Sequence, residues 1–200
     1  MKIVLIGATG TIGAAVADLL EQNHQVVRVG SRGGDYQVDL GSKSSIEALL
    51  TQVGAVDAVV STAGVAKFGP LSELSDEDFE LGLVNKLMGQ VNLVRLGLKH
   101  VRDEGSITLS SGLMARQPMP GSASVSLVNG ALDSFVKAAA LETERGVRIN
   151  AVSPVFVKET MQAMGMDSAT GLSAAHTAKA YMAAVEGADQ GQVLDVRDYV

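Results

Sequence analysis

The chain has 200 residues, a formal net charge of −6, 46% hydrophobic and 19% charged residues. That length suits one domain with a sizeable core, and the composition is globular rather than disordered. Its 16 Lys and Arg are scattered without a basic stripe, so nucleic acid is not an expected partner, and the absence of cysteine excludes disulfides and thiolate metal sites.

The chain opens with "KIVLI" (2–6), a short β-branched run, and its apolar stretch breaks at Gly7, too early for a secretory signal. A helical pattern follows at 11–22, then strands at 25–29 and, more briefly, 36–40, a helix at 43–53 and a strand at 56–61. A long helix is predicted over 75–101, opened by Ser75 and Asp78 in a capping-box arrangement. Beyond it come a strand at 106–110, a helix at 121–144, a strand at 147–152, a helix at 173–185 and a last strand at 192–196. Several strands are apolar at consecutive positions, as expected where helices cover both faces of a parallel sheet. Strand–helix alternation throughout predicts an α/β fold: a Rossmann-like, doubly wound parallel sheet in three α/β/α layers, as one domain over 1–200. No run approaches the ~18 apolar residues of a membrane helix, so no membrane partner and a cytoplasmic location are expected.

The turn after the first strand reads "GATGTIG", with Gly7, Gly10 and Gly13 between a buried-type strand and an amphipathic helix. Gly7 allows a tight turn, Gly10 close approach of backbone to a pyrophosphate, and Gly13 close packing of helix on strand. The helix start offers free N–H groups and a positive dipole end to phosphate. Three glycines alone are a weak signal; strand–turn–helix context makes them a dinucleotide site, with Thr9, Thr11 and Ile12 beside them. After the second strand, "VVRVGSRGGDY" places Ser31 and Arg32 where an acid would select NAD. A guanidinium pairs bidentately with phosphate, so NADP(H) is expected over NAD(H). Asp35, close by, is open to two readings: a loop residue, or a competitor for the ribose.

With these pieces the whole chain resembles the short-chain dehydrogenase/reductase family. "VDL" at 38–40 resembles the segment flanking the adenine, implying roles for Asp39 and Leu40. "STAG" at 61–64 resembles the turn after the fourth strand, implying Ser61, Ala63 and Gly64. "ITLSSG" at 107–112 resembles the strand that ends in the family's active-site serine, implying Ser111, or Ser110 if the following loop carries an extra residue. "VRINAVSPV" at 147–155 resembles the strand and loop over the nicotinamide, implying Pro154, Val155 and Val157, although a valine replaces the usual glycine at 155.

The departures are specific. The family's Tyr-x-x-x-Lys falls on Val125 and Asn129, and the three tyrosines, Tyr36, Tyr181 and Tyr199, lie far away in sequence. Lys86 stands where the family's helix asparagine is expected, with Asn85 beside it. Valine moves no proton, and Asn129 keeps a ribose hydrogen bond without a charge; losing a general acid typically costs about 10²–10⁴ in rate. Lys86 as a proton donor is weighed against the commoner helix-surface lysine. Serine hydrolysis and a metal site are not expected, since His24, His100 and His176 show neither acid pairing nor ligand spacing. Met161, Met164 and Met166 are candidates for an adaptable substrate pocket or for core filling.

The sequence thus predicts an atypical NADP(H)-dependent oxidoreductase acting on a small carbonyl, enone or alcohol. The alternative is a catalytically inactive NADP(H)-binding sensor or interaction protein. Besides a small-molecule substrate, a homodimer or homotetramer is expected.

Overall fold

In β1 (Lys2–Ile6) side chains alternate: Ile3 and Leu5 pack on one side of the sheet, Val4 and Ile6 on the other, and all four are buried. Both faces must therefore be covered. The computed structural model, which describes residues 1–199, covers them with helices. Seven parallel strands stand in the order β3-β2-β1-β4-β5-β6-β7. They are β1, β2 (Gln25–Gly30), β3 (Tyr36–Gln37), β4 (Val56–Ser61), β5 (Val101–Ser110), β6 (Arg148–Ser153) and β7 (Val193–Asp195).

Helices α1 (Thr11–Leu20) and α7 (Ala174–Glu186) cover the Ile3/Leu5 face through Val16, Leu20, Tyr181 and Val185. On the opposite face lie α2 (Lys43–Val53), α4 (Gly89–Gly97) and α5 (Ala123–Ala139), which bury Ile46, Leu50, Leu93, Leu132 and Val136 against Val59, Ile107 and Ile149. Each such aliphatic side chain is worth roughly 1.5–3 kcal/mol when fully buried, so branched aliphatics stabilise this core with little aromatic help.

The chain leaves β1 towards β2 on one side and returns to β4 on the other, so strand order reverses between β1 and β4. In doubly wound sheets ligands bind in the crevice beyond the strand ends at such a reversal. The predicted strands are all present, with β3 cut to two residues. The long helix is in three parts: α3 (Asp76–Leu81), a π-helical stretch Gly82–Met88, and α4. Ser75 and Asp78 form the capping box at its start. It stops at Gly97, because a tight turn (His100 N–H to the Gly97 carbonyl, 2.8 Å) feeds Val101 straight into β5 beside Val56. A short helix α6 (Lys158–Ala163) lies between the strand predicted at 147–152 and the helix predicted at 173–185, where no element is predicted.

Candidate active site

The β1–α1 turn is built as its glycines imply. Gly7 has φ +87°, and a Cβ there would stand 2.7 Å from the Thr62 Oγ1. A Cβ on Gly13 would lie 1.9 Å from the Gly7 carbonyl oxygen, so no larger residue lets α1 start here. The α1 N-cap, Gly10, offers no side-chain cap, and the first turn holds no acidic residue, which leaves N–H donors directed at the crevice. Thr62 fastens the turn after β4 to β1: its N–H and its hydroxyl both donate to the Ile6 carbonyl, at 2.8 and 3.1 Å.

The crevice has two halves that meet at Thr62, Ala63 and Gly64. One half is lined by Gly7, Thr9, Gly10, Ser31, Asp39 and Leu40, among others. Asn85 lines it too, and its Oδ1 accepts the Val65 N–H at 2.9 Å to hold the loop after β4. Arg32 is exposed next to Ser31 and hydrogen-bonds to no other described residue. Asp35 belongs to its loop: its carboxylate accepts the Arg28 N–H at 2.9 Å, and it does not line the crevice. Thr11 is exposed on the first turn of α1, Gly13 lies beneath the glycine turn, Ser61 is buried in β4, and Val157 is buried where it bridges to Leu172. These four flank or support the crevice and do not line it.

The other half, a cavity of about 260 Å³, is lined by Ile12, Lys86, Ser110, Ser111, Val125, Asn129, Pro154, Val155 and Tyr181, among others. Its apolar wall includes Leu113 and Met114, with Phe68 and Phe156 facing each other at 5.9 Å between ring centroids. The three methionines considered from sequence do not contribute: Met161 is buried in the core and Met164 and Met166 are exposed.

Two serines end β5, and the structure separates them. Ser110 is held on every side. Its N–H donates to Gln90 Oε1 at 2.7 Å, its carbonyl accepts from Gln90 Nε2 at 2.9 Å, and its Oγ donates to the Ser61 carbonyl at 2.6 Å. A hydroxyl has one proton, so the Tyr181 hydroxyl, 2.5 Å from Ser110 Oγ, must donate to it. Burial pushes the Tyr181 phenol well above its ordinary pKa, with the Ser110 bond opposing weakly. Ser111 is different. Its N–H is tied to the Val152 carbonyl at 2.9 Å, while its buried Oγ has no partner among the described residues.

Along α5, Val125, Asn129 and Asp133 recur at four-residue spacing and share one buried face. Asn129 Oδ1 and Asp133 Oδ1 are likewise buried without a partner. Gly112 has no room for a side chain, since a Cβ would meet Asn129 Nδ2 at 2.8 Å. Burial raises the Asp133 carboxyl above its ordinary range, against lowering by Ser111, Arg116, Lys137 and Lys86.

Lys86 is no surface lysine. It leaves the π-helical stretch, which is closed by the Gly89 N–H bonding to the Val84 carbonyl five residues back, and such stretches often mark functional sites. Its side chain passes over Gly64, where a Cβ would meet Lys86 Cγ at 2.7 Å, and its Nζ donates to the Ser111 carbonyl at 3.1 Å. Loss of hydration lowers the ammonium to about 8, with the Asp133 charge acting in the opposite direction.

Residues 4–194 match the sequence profile of the enoyl-(acyl carrier protein) reductase family. The chain belongs to the short-chain dehydrogenase/reductase family. It is a member of that oxidoreductase family by sequence and by fold. A Listeria innocua protein of known structure, lin1944, shares 42% identity and superposes with a TM-score of 0.94, covering 98% of this chain and 99% of that one. A small-chain dehydrogenase crystallised with NADPH shares 25% identity at a TM-score of 0.85, over 98% of this chain and 95% of that one. The versicolorin reductase of Emericella nidulans is 30% identical over 186 residues, 80% of this chain and 70% of the relative. The hydroxynaphthalene reductase of Aspergillus fumigatus is 30% identical over 164 residues, 76% of this chain but only 60% of the relative.

Sequence reasoning alone missed two participants and favoured the wrong reading of a third. Gln90 is one of three polar residues in α4, with Asn92 and Arg95, and nothing local marks it as the one that turns inward to Ser110. Tyr181 reaches Ser110 from 71 residues away, which no local pattern reveals. Lys86 is named through its place in the family pattern, but the commoner surface lysine is the favoured reading, and its side chain instead lines the cavity.

Proposed function

We propose that this short-chain family member is an NADP(H)-dependent oxidoreductase that reduces a small apolar carbonyl or enone, or oxidises the matching alcohol. The observation that carries the reading is the continuity of the crevice. A phosphate-type glycine turn and Ser31, with the exposed Arg32 next to it, share one groove with a cavity that holds two polar atoms without a partner among the described residues, Ser111 Oγ and Asn129 Oδ1, and the Lys86 ammonium with one of its three protons engaged.

The residues present fit a nicotinamide dinucleotide. The α1 N-terminus with Gly7 and Gly10 suits the pyrophosphate, Ser31 and Arg32 the 2′-phosphate, and Asp39 and Leu40 the adenosine. Ala63 and Gly64 leave the middle of the groove open, and Asn129 Oδ1 suits a ribose hydroxyl. Ile12, Pro154 and Val155 offer an apolar wall to the nicotinamide. When bound, the reduced nicotinamide supplies a hydride to an electrophilic carbon. Ser111 Oγ then orients the substrate oxygen, and the Phe68/Phe156 mouth excludes water, so that positioning supplies several kcal/mol of barrier lowering. The name reductase on two relatives and the NADPH complex of a third support this direction and this cofactor. The small cavity favours a compact, largely apolar substrate.

One observation favours the inactive sensor as a second reading: Val125 stands where the family has its phenol, and Tyr181 cannot replace it because its proton is committed to Ser110. The two readings separate in one experiment. NADPH binding is followed by its fluorescence, and NADPH consumption is assayed against diketones, quinones and enones. Turnover on any of them supports the enzyme; tight binding with no consumption across the panel supports the sensor.

A further inference from the structure

The protic groups of the cavity can be taken in turn. Thr62 Oγ donates to the Ile6 carbonyl, and Ser110 Oγ to the Ser61 carbonyl. Tyr181 gives its proton to Ser110 Oγ. Val125 has none to give. The Asn129 amide is not an acid, and the Ser111 hydroxyl is far too weak an acid to yield a proton outright near neutral pH. That leaves the Lys86 ammonium. It has three protons, and only one is engaged, by the Ser111 carbonyl at 3.1 Å. We infer that Lys86 is the proton donor of the reaction, a catalytic residue acting from the π-helical stretch in place of a phenol on α5. The inference rests on the oxidoreductase reading above.

The step balances simply. As hydride from a reduced nicotinamide dinucleotide adds to the carbonyl carbon, the C=O π pair moves onto oxygen, and that oxygen takes a proton from Lys86 Nζ. The products are the alcohol, the oxidised dinucleotide and a neutral amine, which regains its proton from water. In the oxidative direction the neutral amine accepts the alcohol proton.

Several features suit Lys86 to this task. Gly64 and the widened helical turn admit its side chain to the cavity, and the Ser111 carbonyl aims its Nζ at the end of β5, next to the hydroxyl that would hold the substrate oxygen. A proton donor works best when its pKa lies near the working pH, and dehydration brings Lys86 down to about 8. Among the described residues the charged group facing it is Asp133 on α5, itself faced by Arg116 and Lys137. Asp133 is a positioning residue: it sustains the lysine's charge from below.

The test has two arms. In the first, carbonyl reduction is measured against pH for wild type, Lys86→Met, Lys86→Gln and Lys86→Arg, with NADPH affinity and thermal melts alongside. Wild-type kcat/KM should fall as pH rises through about 8, where the ammonium is lost. Met and Gln should lower kcat by about 10²–10⁴ while leaving NADPH affinity within a few-fold. Arginine keeps the charge but does not release a proton in this range, so it should be as impaired as methionine. Rescue by arginine, or a folded Lys86→Met with wild-type kcat, overturns the inference and leaves the oxidoreductase reading intact. No turnover by wild type overturns both. The second arm needs no turnover: the Lys86 side chain is followed by lysine-labelled NMR in the ligand-free protein. A midpoint near 8 that moves down in Asp133→Asn is expected; titration with the exposed lysines would overturn the inference.

Discussion

The hydroxyl of Tyr181 lies 2.5 Å from Ser110 Oγ, beneath the end of β5. The pair closes a chain of hydrogen bonds, from the phenol to the serine hydroxyl and on to the Ser61 carbonyl. Its role is to fix the strand end that displays Ser111. Tyr181→Phe should therefore cost about 0.5–1.5 kcal/mol of stability and leave kcat within a few-fold. Ser111→Ala, which removes a hydroxyl with no protein partner, should instead reduce kcat with little loss of stability. Melts and steady-state rates on both variants check this. A folded Tyr181→Phe without activity would mean that the phenol moves a proton after all.

Cofactor choice is expected to rest on the exposed Arg32 beside Ser31. NADPH should bind more tightly than NADH, and Arg32→Ala should reduce that preference about tenfold, the scale of one partly exposed charge-assisted bond. Titration calorimetry at low and high salt is the check: the preference should also shrink as salt screens the charge. Equal affinity of wild type for the two cofactors would refute the assignment.

Lys86 should leave a mark on stability in the ligand-free protein. Its folded-state pKa, about 8, lies below that of an unfolded lysine, so the folded form loses its proton first. Below about pH 8 both states are charged and the folded state bears the whole burial penalty. From there up to about pH 10.4 the unfolded chain holds more protons, and stability rises with pH, by on the order of 3 kcal/mol. Denaturant melts of wild type and Lys86→Met across pH 7–11 isolate this contribution. The difference between them should narrow as pH rises; a constant difference would contradict the assigned pKa.

Self-association is expected through the face formed by the π-helical stretch and α5, which pack together. Leu83, Val84, Met88 and Leu127 are exposed there. Burying them would be favourable at about 25 cal/mol per Å² of apolar surface, and two-fold dimers are the commonest assembly. Light scattering should give a multiple of the 20.7 kDa chain, and Leu127→Glu should shift it towards the monomer. A wild-type monomer at micromolar concentration would exclude this interface.

Much of the architecture was legible because it rests on local rules. Apolar runs bounded by turns gave the strands, Ser75 and Asp78 gave a helix start, and Gly7, Gly10 and Gly13 gave the phosphate-type turn. The family's Tyr-x-x-x-Lys positions fall on Val125 and Asn129, and both line the cavity. What escaped depends on contacts between distant segments. The Gln90 clamp on Ser110, the Tyr181 bond and the passage of Lys86 over Gly64 join residues whose separation in sequence has no period. The π-helical stretch escaped for a related reason: one extra residue in a turn hardly alters an amphipathic pattern, yet it redirects the side chains that follow. Methionine is apolar in core and pocket alike, so its presence at 161, 164 and 166 could not tell which.

The central claim, hydride transfer within this crevice, is tested most directly with NADPH carrying deuterium at one face of the nicotinamide C4. The protein is incubated with each diastereotopically labelled cofactor and a carbonyl substrate from the panel, and the product is examined by mass spectrometry. A cofactor held in one orientation against the cavity must deliver hydride from one face only. Deuterium on the product's former carbonyl carbon from one labelled NADPH, and none from the other, is the predicted result. A product carrying label from both in equal measure, or no labelled product across the panel, would contradict the account.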